Sequence, residues 1–287
     1  MELFLSQVIN GLSNSAELFL IAIGLVIIFG MLDVCNMAHG EFIMIGAYAG
    51  VVFVNYLRLP FALALPMAFV VTAVIGVIIE HFLIRRLYGK VAETLLVTFA
   101  LTYVSQQICR MIFGPEGQSI EVPIAGYISI GKITMPYYNI FLIGMAFLVL
   151  GITLLLFYKT SYGVQLRAIT QNRKMSQCLG INTEKIDRIT FAYGCGLAGL
   201  AGALIAPVSS ITPGMGTTYV VDSFMVVILG GLNSIIGSLA GSVVIEEAVT
   251  VMAGYMSQVT AKLLVFVLII IIVRFKPYGL FTAKDRR

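Results

Sequence analysis

Apolar residues run through this chain in blocks of about twenty, parted by short polar stretches, and that is the length at which an α-helix crosses ~30 Å of hydrocarbon. The blocks predict helices over 8–30, 41–57, 60–84, 92–113, 137–158, 189–206, 218–231, 236–254 and 257–274. Nine crossings is the resulting count, bounded by eight and ten, because 218–231 is too short to span as a straight helix. A transmembrane barrel would instead show short alternating segments. The fold class expected is therefore all-α: one polytopic transmembrane domain over residues 1–287, with a polar loop at 159–188. Two stretches break the pattern. Residues 30–41 and "GGLNSIIGSLAG", Gly230 to Gly241, are rich in glycine and polar groups and carry no Lys or Arg. Irregular backbone at membrane depth is tolerated where it is buried in protein or lines a watery cavity, and paired interruptions in the two halves of a chain point to a transport path. Two tight hairpin turns are the plainer alternative.

Composition agrees with the pattern. Of all residues 59% are hydrophobic and 11% charged, and the mean hydropathy is +0.99, which leaves too little polar surface for a soluble domain of this size. The first apolar block has no basic region before it and no small-residue cleavage pattern, so it reads as a retained helix and not as a signal peptide. Charge adds an orientation. Of 18 Lys and Arg, 14 fall in three segments: Arg85, Arg86 and Lys90; Lys159, Arg167, Arg173, Lys174, Lys185 and Arg188; Arg274, Lys276, Lys284, Arg286 and Arg287. Cytoplasmic loops carry such excesses, which puts the N-terminus outside and the C-terminus inside. The net +4 is thus a topology signal and not a nucleic-acid footprint.

Chemistry concentrates in "MLDVCNMAHGEFIMIGAY", Met31 to Tyr48, where Asn36, His39 and Glu41 stand in an apolar setting. They suit either a polar lining for a small solute or a cap on the helix after the break. Asp222, at the start of the short span before the second interruption and toward the external vestibule, and Asn233, within it, extend the candidate path, although a carboxylate at a helix start explains Asp222 equally well. Catalysis is not indicated, since His81 is the only other histidine and no His-Glu-x-x-His spacing exists. No metal site or cofactor motif is present. Cys35, Cys109, Cys178 and Cys195 lack ligand spacing and read as packing residues or free thiols. Glu80 lies one turn from Arg85, predicting an intrahelical pair. Glu246 and Glu247 are adjacent, so at most one should point into the bundle. Gly194, Ala198 and Gly202, like Gly237 and Gly241, recur every fourth residue and predict close helix packing in lipid.

The 159–188 loop contains a run from Val164 to Leu179 free of Gly and Pro, which predicts one short amphipathic helix with Leu166, Ile169, Met175 and Leu179 toward one side. Such a helix docks on a partner or lies on acidic lipid.

The order "NMAHGEFIMIGAY", "RAITQNRKMSQCLGI", "YVVDSFMVVILGGLNSIIGSLAGS" and "AKLLVFVLIIIIVRFKPYGLF" resembles the permease subunits of ATP-binding-cassette importers of the branched-chain amino acid and urea family. The likeness runs from about Gly11 to Phe281, and "ETLLVT", "QQICRMIFG", "TQNRKMSQCLGI" and "VDSF" resemble the urea-type member. What the resemblance implies is a transport subunit of the bacterial cytoplasmic (inner) membrane, working with two cytosolic ATPase subunits, a second similar permease chain or a second copy, and an extracytoplasmic solute-binding protein. The P-loop pattern is absent from the sequence, placing ATP hydrolysis on other chains. The short helix would be the coupling helix, with Arg167, Ala168, Asn172, Met175, Leu179 and Gly180 at the ATPase. The solute expected is urea or a short amide, because Asn36, Glu41, Asp222 and Asn233 come with no Lys or Arg to meet a carboxylate. Branched-chain amino acid import is the alternative, a passive urea or amide channel the second, and a membrane enzyme the weakest.

Overall fold

The computed structural model describes residues 2–130, 133–231, 234–276 and 279–280, the side chains at 2–6, 130 and 133 excepted. Asn233 lies outside the described residues. In chain order the helices are α1 (Glu2–Leu32), α2 (His39–Val51), α3 (Phe61–Phe82), α4 (Val91–Phe113), α5 (Tyr137–Lys159), α6 (Ser161–Gln171), α7 (Arg173–Cys178), α8 (Thr183–Ile205), α9 (Met215–Gly230), α10 (Ile235–Ala253) and α11 (Gln258–Phe275). Seven of them, α1, α3, α4, α5, α8, α10 and α11, are long and apolar enough to cross a membrane. α2 and α9 are shorter, at 13 and 16 residues, although a wider helical turn over Val52–Tyr56 prolongs α2. The chain is a polytopic, nearly all-helical membrane protein. One small feature escaped the apolar pattern: an antiparallel hairpin of β1 (Tyr127–Ile130) and β2 (Ile133–Pro136) before α5.

α8 is the centre of the bundle and packs along α1, α2 and α3. Its buried face is made of Gly194, Cys195, Ala198, Ala201 and Gly202. A methyl group on Gly202 would overlap Ile43 O, one on Gly46 would overlap Gly199 O, and one on Gly24 would overlap Gly194 O. Lipid tails are as apolar as leucine, so helices in a membrane gain from close backbone approach and not from burial as such. The spacing of small residues read from the sequence therefore has its expected use. Around this seam sit Phe19, Phe42, Phe191 and Tyr138, all almost fully buried.

The basic segments 83–90 and 159–188 meet at one end of the bundle. Arg85 binds Glu184, and Arg173 binds Asp187, whose side chain is fully buried. Arg188 Nε lies 3.2 Å from Glu80 Oε2. This corrects the expected intrahelical pair: the bundle brings Arg188 from α8 to Glu80, and Arg85, past the end of α3, turns to α8 instead. Tyr88 completes the network by donating to Glu80 Oε1 at 3.4 Å while stacking on Arg173. Burial, with Asp187 and Glu80 close by, pushes the Tyr88 phenol well above its usual range and keeps it a neutral donor.

The expected single helix from Val164 to Leu179 is two helices. Asn172 leaves helical geometry at φ −154° and accepts from Met175 N at 3.0 Å, capping α7 while ending α6. The apolar residues divide at that break. Leu166 and Ile169 enter the core, whereas Met175 and Leu179 are 57% and 75% exposed.

Candidate functional site

Between α1 and α2 the chain takes six residues, 33–38, to climb back into the bundle. The contacts give the height. Thr170 of α6 donates to Met31 O at 3.4 Å, so the end of α1 is at the basic end. His39 Nε2 pairs with Ile21 O at 3.1 Å, and Ile21 is eleven residues before Leu32, about 16 Å of helical rise. α2 therefore starts near mid-bundle. α9 starts there too, from the opposite side, because Gly40 and Gly216 are in backbone contact and a methyl on Gly40 would overlap Gly216 O. The two short helices thus have their N-terminal ends crossing inside the protein, where only glycine fits.

Polar side chains hold that crossing. Asn36 Oδ1 accepts from Ala38 N at 3.0 Å, and Met37 N donates to Thr98 Oγ1 of α4 at 3.1 Å. Gln106 Nε2 donates to Glu41 Oε1 at 2.9 Å and to Thr217 Oγ1 at 3.0 Å, joining α2, α4 and α9. Asn36, His39 and Glu41 are all within the chain, at no more than 2% exposure. Each retains one buried polar atom without a protein partner: Asn36 Nδ2, His39 Nδ1 and Glu41 Oε2.

Asp222 is placed differently from its expected position. It lies in the second turn of α9 and not at the helix start, and its partner is Lys262 of α11, with Nζ 2.7 Å from Oδ1 and 2.8 Å from Oδ2. Lys262 also lines a groove between α9 and α11. The sequence reading found no cation beside the path because Lys262 is forty residues away along the chain; helix packing supplies it. Glu246 and Glu247 are both half-buried. Glu246 is near Asp222 and Lys262, while Glu247 packs over Gly11 of α1, so neighbouring positions on α10 meet different helices.

At the basic end, Arg167 is turned back onto Phe157 O and the Tyr158 ring, 5.2 Å from its centroid. Ala168 O accepts from Asn172 N at 3.0 Å. Asn172, Met175, Leu179 and Gly180 form an exposed tip, and Gly180 supplies the φ of +83° that ends α7.

The chain is similar over 96% of its length to the high-affinity branched-chain amino acid transport system permease protein BraD of Pseudomonas aeruginosa, at 28% identity and 95% of that protein. It is 27% identical to the corresponding permease LivH of Escherichia coli, over 96% of this chain and 95% of LivH. The ribose import permease RbsC of Escherichia coli matches at 29% over 64% of this chain and 57% of its own. No solved structure matches. The family described as branched-chain amino acid transport system / permease component matches residues 7–273, from the first apolar helix through the last, and the chain belongs to it.

Proposed function

We propose that this chain is the permease subunit of an ATP-binding-cassette importer whose solute is an apolar amino acid of the branched-chain type. The observation that carries this reading is the likeness over nearly the full chain to permeases named for branched-chain amino acids, whereas the ribose permease matches only in part. It favours the amino acid alternative over the urea or amide solute that the sequence motifs suggested. Lys262 beside Asp222 also removes the reason for preferring a neutral solute, since a cation for a carboxylate is present after all.

The rest of the assembly follows from the same reading. The chain forms one transmembrane permease domain in the bacterial inner membrane, N-terminus outside, with the basic end in the cytoplasm. Two ATPase subunits act from that side, a second permease chain or copy completes the path, and an extracytoplasmic binding protein delivers the solute. The exposed tip of Asn172, Met175, Leu179 and Gly180 is the part offered to an ATPase. Met175 and Leu179 stand out from a charged surface as the apolar pair that a partner would cover, and Leu166 and Ile169 anchor the other half of the loop in the core. Arg167 and Ala168 set the geometry of that anchor.

The test is transport by the co-purified importer in vesicles. Labelled leucine should accumulate only with ATP, and excess urea should leave the uptake unchanged. ATP-dependent accumulation of urea with no leucine uptake overturns the solute. Equal solute entry without ATP or ATPase subunits overturns the importer reading in favour of a channel.

A further inference from the structure

The groove between α9 and α11 combines one full charge with mostly apolar walls. It holds about 530 Å³, lined by Val221, Met225, Val259, Leu263 and Phe266 together with Lys262, a volume within the ~300–1,000 Å³ usual for small-molecule sites. The Lys262 side chain is 41% exposed into this space, while Asp222 behind it is 13% exposed. Glu17 of α1 and Glu246 of α10 lie within electrostatic reach of Asp222. Asp222 is the carboxylate in contact with this ammonium.

That arrangement does not suit a lipid-facing surface. An ammonium inside a membrane faces water or a protein cavity, or else extends to the interface. Lys262 does not extend, because Nζ donates to Asp222 Oδ2 and lies 2.7 Å from Oδ1. It does not serve packing alone either, since its flank remains open.

Resting on the amino acid reading above, we propose that this groove is a binding site for an α-amino acid zwitterion. The solute carboxylate meets Lys262 Nζ. The ammonium meets Asp222. The apolar side chain runs along Val259, Leu263 and Phe266. Binding exchanges one intrachain ion pair for two pairs with the solute, so neither charge is left without a partner. A neutral diamide such as urea has no use for separated charges, and it leaves the apolar wall uncovered.

The experiment places a single cysteine at Val259, which is 78% exposed, in a chain with Cys178→Ser to remove the exposed native thiol. The assembled importer, in lipid nanodiscs and without binding protein, is labelled with a water-soluble thiol reagent. Leucine should slow the labelling severalfold, while leucinamide, 4-methylpentanoate and urea should not, because each lacks one or both charges. Lys262→Met should raise the leucine concentration for half protection by roughly tenfold or more, and Lys262→Arg should retain it. Since Lys262→Met alone strands Asp222, the double variant D222N/K262M removes both charges together; it should fold and show no leucine protection. Protection by leucine that persists in the double variant overturns the site. So does absence of protection in an importer that accumulates leucine with ATP, and that result leaves the solute reading standing; uptake of urea in place of leucine overturns the solute reading itself.

Discussion

Glu41 and Asp222 are carboxylates on the two short helices of one bundle, and the protein treats them in opposite ways. Glu41 is 2% exposed and is met by an amide, Gln106, which in turn reaches a hydroxyl, Thr217. Asp222 is met by a full ammonium beside an open groove. A carboxyl group held from inside by neutral donors fixes the angle of the helices around it. One held by an exposed cation presents a pair of charges that a solute can take over. On the site proposed above, the partner and the opening, and not the acid, separate a structural role from a recognition role.

The contrast can be broken most severely at the glycine contact that positions both helices. Gly40→Val should abolish recovery of monodisperse protein from detergent extracts, because even a methyl there overlaps Gly216 O and a backbone has no rotamer to move. Recovery at the normal yield would mean that α2 and α9 do not cross as described. Next in size is Arg173→Ala, which leaves the fully buried Asp187 side chain without its cation and should cost about 3–5 kcal/mol. Thermal unfolding in detergent reads this, and a loss under ~1 kcal/mol would show that Asp187 is not held as an ion.

Smaller effects sharpen the comparison itself. Glu41→Leu leaves the Gln106 amide with Thr217 as its one acceptor and should destabilise by ~1–3 kcal/mol, whereas Glu41→Gln keeps both acceptors for Gln106 Nε2 and should cost less than ~1 kcal/mol. Equal losses for the two would count against the hydrogen bond as the stabilising element. Least of all, Met175→Ser with Leu179→Ser should leave stability within ~0.5 kcal/mol, since both residues are exposed. The same pair should reduce the ATPase subunits recovered with the chain, and undiminished recovery would remove the docking role.

Much of the fold was legible because a membrane helix declares itself within about twenty consecutive residues. Each apolar block became a helix, and the glycines of α8 were placed at the contacts their spacing predicts. What could not be read were pairings between helices. Glu41 and Gln106 are 65 positions apart, Asp222 and Lys262 forty, and nothing local marks them as neighbours. The break at Asn172 lies between these cases. Asparagine is a cap former, and a charged run after it was a sufficient sign, but the uninterrupted amphipathic pattern from Val164 to Leu179 concealed it. The hairpin before α5 was hidden by its length, four residues a strand.

The contact of Gly40 with Gly216 bears on how smoothly this molecule is able to move. Most packed surfaces yield to small displacements by letting side chains hop between rotamers, but two bare backbones in contact have no such reserve. α2 is expected to stay locked against α9 until the contact parts altogether or advances by a helical turn, about 5.4 Å. Any transport cycle routed through it would advance in jumps, with few intermediates between its end states.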